Sequence, residues 1–173
     1  SVPRDRLERL ILAADGGAED TRLRYASDCL AGQPAPEGGA QWQCLSEALY
    51  FEARGESVRG QFAVAEVILN RVESAIYPHT VCGVIEQGTG ELYQCQFTYT
   101  CDGSAETIHE PKAWAQVGKV ARAMLDGAPR VLTKGATHYH TKHVSPRWAR
   151  VYPRTATIGV HHFYRKPIQL SSN

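Results

Sequence analysis

The feature that most constrains this sequence is a helical pattern between Gln61 and Ser74. Phe62, Ala65, Ile68, Leu69 and Val72 recur at helical spacing, so one side of a helix is apolar and the rest of the chain has to cover it. Two other stretches supply candidates for that cover. Trp42, Leu45, Leu49 and Ala53 share a face, and Gly55 breaks their pattern. Pro111 suits a first helical turn; Trp114, Val117, Val120, Ala121 and Met124 then repeat until about Asp126, and Gly127 ends the run. Val81 to Gln87 reads as a short helix or turn.

The last third does not continue this pattern. Gly135, Pro146, Pro153 and Gly159 interrupt residues 131–165, whose β-branched and aromatic side chains predict a few short strands or ordered loops. Residues 31–40, Ala-Gly-Gln-Pro-Ala-Pro-Glu-Gly-Gly-Ala, read as a linker. The expected organisation is an appendage and linker over 1–40, one domain over 41–167 and a tail over 168–173. The expected class is α+β, mainly α, with a small β or irregular lobe. At 173 residues, one sizeable core is affordable and two ordinary domains are not.

A net charge of +1 gives no bulk electrostatic case for a nucleic-acid partner. No apolar run approaches the roughly 20 residues that span a bilayer, so stable membrane insertion is not expected. Neither a phosphate-binding glycine loop nor a G-x-S-x-G elbow nor a dinucleotide fingerprint occurs, which argues against nucleotide enzymes and the commonest serine hydrolases. Oligomeric state has no signature in the sequence. The five cysteines are Cys29, Cys44, Cys82, Cys95 and Cys101. Cys95 and Cys101 bracket a short loop and could pair; Cys44 and Cys82 could form a second bridge, leaving Cys29 odd. Other pairings, or five reduced thiols, stay open. Disulfides would place the chain outside the cytoplasm. The first residues lack the layout of a signal peptide, so an exported protein is expected here without its leader.

Three clusters could carry chemistry. Glu47, Glu52, Arg54 and Glu56 crowd the end of the first helix. Five residues apart, Glu47 and Glu52 project differently, whereas Leu49 shares a face with Glu52 and, with Phe51, could desolvate its carboxyl and raise its pKa. The plainer reading is a solvated, salt-bridged helix end. His138, His140 and His143 invite a zinc site, but no H-E-x-x-H pattern occurs and no carboxylate side chain follows Ala128 to complete one, so no metal or other cofactor is expected. Gln96, Phe97 and Thr98 lie in a polar-aromatic segment suited to sugar hydroxyls and ring faces, or to a structural loop.

Together these segments carry a resemblance. Cys44-Leu-Ser-Glu-Ala-Leu-Tyr-Phe-Glu-Ala-Arg-Gly-Glu-Ser, then Gly60-Gln-Phe-Ala-Val-Ala-Glu-Val-Ile-Leu-Asn-Arg71, resembles the signature of the SleB/CwlJ-type cell-wall hydrolases in their cysteine-bearing, Gram-negative form. Later segments follow in order, among them Cys95-Gln-Phe-Thr98, Ala136-Thr-His-Tyr139, Pro146-Arg-Trp148 and His161, so the likeness covers about residues 44 to 165. It implies a lysozyme-like, lytic-transglycosylase-like domain acting on peptidoglycan between N-acetylmuramic acid and N-acetylglucosamine, in the periplasm or otherwise outside the cytoplasm. It implies a glutamate of the E-A-R-G-E motif as general acid, Glu52 by preference and Glu56 as the fallback. Gln61, Gln96, Phe97, Thr98, His138, Tyr139 and His161 are the expected substrate contacts. A lytic transglycosylase needs one carboxylate where other glycosidases use two, and no second acid is evident here. The competing readings are a zinc-dependent amidase built on His138, His140 and His143, and a non-catalytic peptidoglycan-binding module.

Overall fold

The structure, a computed structural model, describes residues 38–87, 97–100 and 106–168. Among the described residues, four helices and three strands follow in chain order: α1 (Ala40–Ala53), α2 (Val58–Glu73), α3 (Val81–Ile85), α4 (Pro111–Leu125), β1 (His138–Thr141), β2 (Arg154–Ile158) and β3 (His161–Tyr164). Short 3₁₀ turns lie at Thr98–Thr100 and Arg147–Arg150. The strands form one antiparallel sheet in the order β1-β3-β2. The fold is thus mainly helical with a small β lobe. Among the described residues, no helix is long and apolar enough to cross a membrane.

α2 is the centre of the molecule. It begins at Val58, three residues before the apolar pattern does, because Ser57 caps it: the backbone is extended there and the Ser57 hydroxyl accepts a hydrogen bond from Gly60 N at 3.1 Å. The apolar stripe understates its burial. Every residue from Gly60 to Ile68 is buried, Gln61 and Glu66 included, because α1, α3, α4 and the sheet surround the helix. α1 packs on α4, where Trp42 meets Trp114 edge-on and its indole N–H donates to Gly118 O at 2.8 Å. Cys44 and Cys82 are bonded, tying α1 to α3. Cys29, Cys95 and Cys101 lie outside the described residues.

Polar residues of α2 hold the β lobe. The Glu66 carboxyl accepts from Leu132 N and Thr133 N, both at 2.8 Å, and from the Thr133 hydroxyl at 2.7 Å. One turn on, Asn70 Nδ2 donates to Ala136 O at 2.9 Å, and Arg71 Nε donates to Thr137 O at 2.6 Å. Arg71 lies in the last turn of α2, where a cation complements the helix dipole. It is buried, however, with its guanidinium over the Tyr77 ring, and the β lobe is what it binds.

Candidate active site

Glu52 is the penultimate residue of α1. Its side chain leaves the core at the point where the helix stops, and the Tyr139 hydroxyl donates to Glu52 Oε2 at 2.9 Å. Strand alternation decides which β1 residue can make this contact. Tyr139 shares one face of the sheet with Phe163, its partner in β3, whereas His138 and His140 share the other. Burial raises the Glu52 pKa above the usual carboxylate range, and the Tyr139 hydrogen bond pulls it partly back. Burial, with the neighbouring Glu52, pushes the Tyr139 hydroxyl far above its ordinary pKa, so it remains a donor. Tyr99, whose own hydroxyl burial also shifts upward, stacks on Phe51 with ring centroids 4.8 Å apart. Of the two apolar neighbours expected to shield Glu52, Phe51 thus contributes to an aromatic wall, while Leu49 is wholly inside the core.

The other carboxylates of the cluster have separate partners. Glu47 accepts from Gln43 Nε2 at 2.7 Å along the helix surface. Arg54 reaches across to Glu110, at the start of α4, and covers the Tyr50 ring. Glu56 occupies the turn between α1 and α2, with Oε1 3.9 Å from Nδ1 of buried His161. The His161 ring meets Tyr139 edge-on at 5.1 Å. Burial lowers the His161 pKa, with Glu56 opposing the shift.

Glu52, Tyr139, His161 and Glu56 therefore form one constellation. The remaining expected contacts fall elsewhere. Gln61 is 1% exposed, held by Gln116 Nε2 at 3.1 Å and donating to Glu56 O at 3.3 Å, on a stretch of α2 buried from Gly60 to Ile68. Phe97 is likewise in the core, beneath Arg71. Thr98 opens a 3₁₀ turn, its side chain outside the described residues, as is all of Gln96. His138 faces away from Tyr139, packing on Trp148 and Tyr152 and lining a separate cleft of about 660 Å³. Burial first, then Arg71 and Lys166, lowers its pKa to about 4.

The histidine cluster does not assemble as ligands. His140 places Nδ1 2.7 Å from Thr141 O and Nε2 2.9 Å from the Tyr164 hydroxyl, so both ring nitrogens are committed. Exposed His143 lies in the following turn. Among the described residues, no group of three His, Cys, Asp or Glu side chains is placed to hold a metal. Three functional features carry little or no signal in the sequence. Tyr99 lies in the polar-aromatic segment already singled out, one residue past Thr98. Glu66 is a lone carboxylate inside an apolar run, a signal for a buried acceptor. The pairing of Arg54 with Glu110 has no local signal at all.

A family model described as cell wall hydrolase matches residues 55–164. The spore cortex-lytic enzyme of Oceanobacillus iheyensis is 35% identical over 133 residues, covering 74% of this chain and 43% of that protein. The enzyme of the same name from Bacillus cereus is 35% identical over 136 residues, 76% of this chain and 48% of its own. The chain thus spans just under half the length of these relatives. Among solved structures, the catalytic domain of the germination-specific lytic transglycosylase SleB from Bacillus anthracis superposes with a TM-score of 0.57 at 32% identity, over 77% of this chain and all of that domain. The SleB catalytic domain of Bacillus cereus gives 0.53 at 32% identity, over 78% of this chain and 99% of that one. The architecture is the lysozyme-like one of these domains, as the sequence resemblance implies.

Proposed function

The chain belongs to the cell wall hydrolase family, and on that premise we propose that it cuts peptidoglycan glycan strands between N-acetylmuramic acid and N-acetylglucosamine as a lytic transglycosylase. Glu52 is the acid and then the base. The observation that carries this reading is the pairing of Glu52 with Tyr139: a largely buried carboxyl at a helix end, its proton affinity raised by desolvation and its orientation fixed by one hydrogen bond. Protonated Glu52 donates to the glycosidic oxygen as its bond to the muramoyl anomeric carbon breaks. The muramoyl 6-hydroxyl then attacks that carbon and returns its proton to the Glu52 carboxylate, leaving a 1,6-anhydromuramoyl end. Tyr139 supports the carboxylate during the interval when it is charged. No second carboxylate is required, and Glu56 Oε1 lies beside His161, 3.9 Å from its Nδ1.

We assign the activity to residues 41–167, with 1–40 as an appendage and 168–173 as a tail, and place it outside the cytoplasm, periplasmic in a Gram-negative cell. The names borne by the relatives and the bonded Cys44–Cys82 pair favour a place outside the cytoplasm. The amidase alternative loses support from the committed nitrogens of His140. Mass spectrometry of soluble products from purified sacculi tests the proposal. Muropeptides ending in 1,6-anhydromuramic acid are expected, and Glu52→Gln should lower turnover by about 10³-fold while remaining folded. Reducing-end muramic acid, free stem peptides or a fully active Glu52→Gln protein would each refute it.

A further inference from the structure

Glu56 is enclosed in a way that a proton donor to substrate does not need. Its backbone is fixed on both sides: Glu56 N donates to Ala53 O at 2.9 Å, and Gln61 Nε2 donates to Glu56 O at 3.3 Å. Its side chain occupies a space cleared by two glycines. A methyl group on Gly60, in the first turn of α2, would come within 3.1 Å of Glu56 Cβ. On Gly159, in the turn joining β2 to β3, a methyl would come within 2.9 Å of Glu56 Oε2, and φ there is +58°. Two residues on, His161 presents Nδ1 3.9 Å from Glu56 Oε1 and has no hydrogen-bond partner at that atom. The same imidazole supports the Tyr139 ring, whose hydroxyl holds Glu52. A side chain clamped between a helix start and a hairpin turn fixes the position of that hairpin relative to α1.

We propose that Glu56 is a positioning residue: it docks the β2–β3 turn against the helices and, through His161 and Tyr139, holds the Glu52 carboxyl in its working orientation. The inference rests on the reading of Glu52 as the acid. It assigns the second glutamate of the E-A-R-G-E motif a task that depends on its shape and its place between Gly60, Gly159 and His161, with no proton transferred to substrate.

The test is a set of variants assayed on sacculi, with folding checked by circular dichroism. Glu56→Gln keeps the shape and should retain activity within about tenfold of the parent, whereas Glu52→Gln loses about 10³-fold. Glu56→Ala should lower kcat by about 10- to 100-fold with KM little changed, the scale of a misplaced catalytic group. Gly159→Ala, which retains both carboxylates but crowds that of Glu56, should reproduce that loss. In a Tyr139→Phe background the Glu56→Ala loss should shrink, because the link to Glu52 is already cut, whereas a purely structural role would leave it unchanged. Loss of activity in Glu56→Gln equal to that in Glu52→Gln would overturn the inference while leaving the proposed reaction intact, as would full activity in Glu56→Ala. An active Glu52→Gln alongside an inactive Glu56→Gln would overturn both.

Discussion

The Tyr139 hydroxyl and Glu52 Oε2, 87 residues apart in the chain, lie 2.9 Å from one another where β1 faces the end of α1. The tyrosine opposes the effect of burial on the carboxyl, and its removal has a definite sign. In Tyr139→Phe the hydrogen bond that lowers the Glu52 pKa is gone while burial remains, so that pKa rises further. The alkaline limb of kcat/KM should therefore move to higher pH, while the maximal rate falls about tenfold for the lost support of the carboxylate. A pH–rate profile of the variant decides the matter; a limb that stays put or moves down contradicts it.

Glu52 should also cost the fold stability. Its folded pKa lies above the unfolded value, so the penalty for a charged Glu52 is present in full above the folded pKa and disappears below the unfolded pKa of about 4.3. Glu52→Gln resembles the neutral form and should melt higher than the parent at pH 7. The gain is about 1.4 kcal/mol for every tenfold difference in proton affinity between the folded and unfolded carboxyl, and it closes toward pH 4. Calorimetry at the two pH values checks this. A variant no more stable at pH 7 would mean that Glu52 is not desolvated as described.

Glu66 tests the attachment of the β lobe. Glu66→Ala leaves the Leu132 and Thr133 amides without their acceptor in a buried site and should destabilise the protein by roughly 3 kcal/mol. Glu66→Gln, which keeps one carbonyl oxygen, should lose less. Urea denaturation of both variants measures the difference, and an Ala variant of parental stability would exclude the anchoring role.

The Cys44–Cys82 bond closes a loop of sequence separation 38, for which loop entropy predicts about 4 kcal/mol of stabilisation. Cys82→Ala should show a correspondingly lower melting point than the oxidised parent, and added reductant should lower the parent by more than it lowers the variant. Equal response of both proteins to reductant would place the sensitivity elsewhere in the chain.

The helices are legible because their apolar spacing is local, whereas the site depends on which faces meet. His138 and Tyr139 are adjacent and equally suited to a sugar. Strand alternation allows only one of them toward α1, and the choice comes from packing that β1 does not encode by itself. Gln61 and Phe97 depart from expectation for a related reason. A glutamine on an amphipathic helix reads as exposed until four elements are found to enclose that helix, and an aromatic residue in a polar segment reads as a sugar platform until Arg71 is found above it. Glu52 itself is legible through its motif, its desolvation through neither neighbour alone, and its tyrosine partner only from the assembled sheet. Ser57 does announce the start of α2, as a serine three residues before Gly60, but without the acidic residue that would complete a capping box.

Glu66, Asn70 and Arg71 climb one side of α2, and each grips main-chain atoms of the segment leading into β1. A clamshell movement of sheet against helices would have to break those bonds together, several of them away from water. Those bonds make the segment leading into β1 a fixed attachment to α2. The amides of Leu132 and Thr133 should therefore exchange with solvent among the slowest in the molecule.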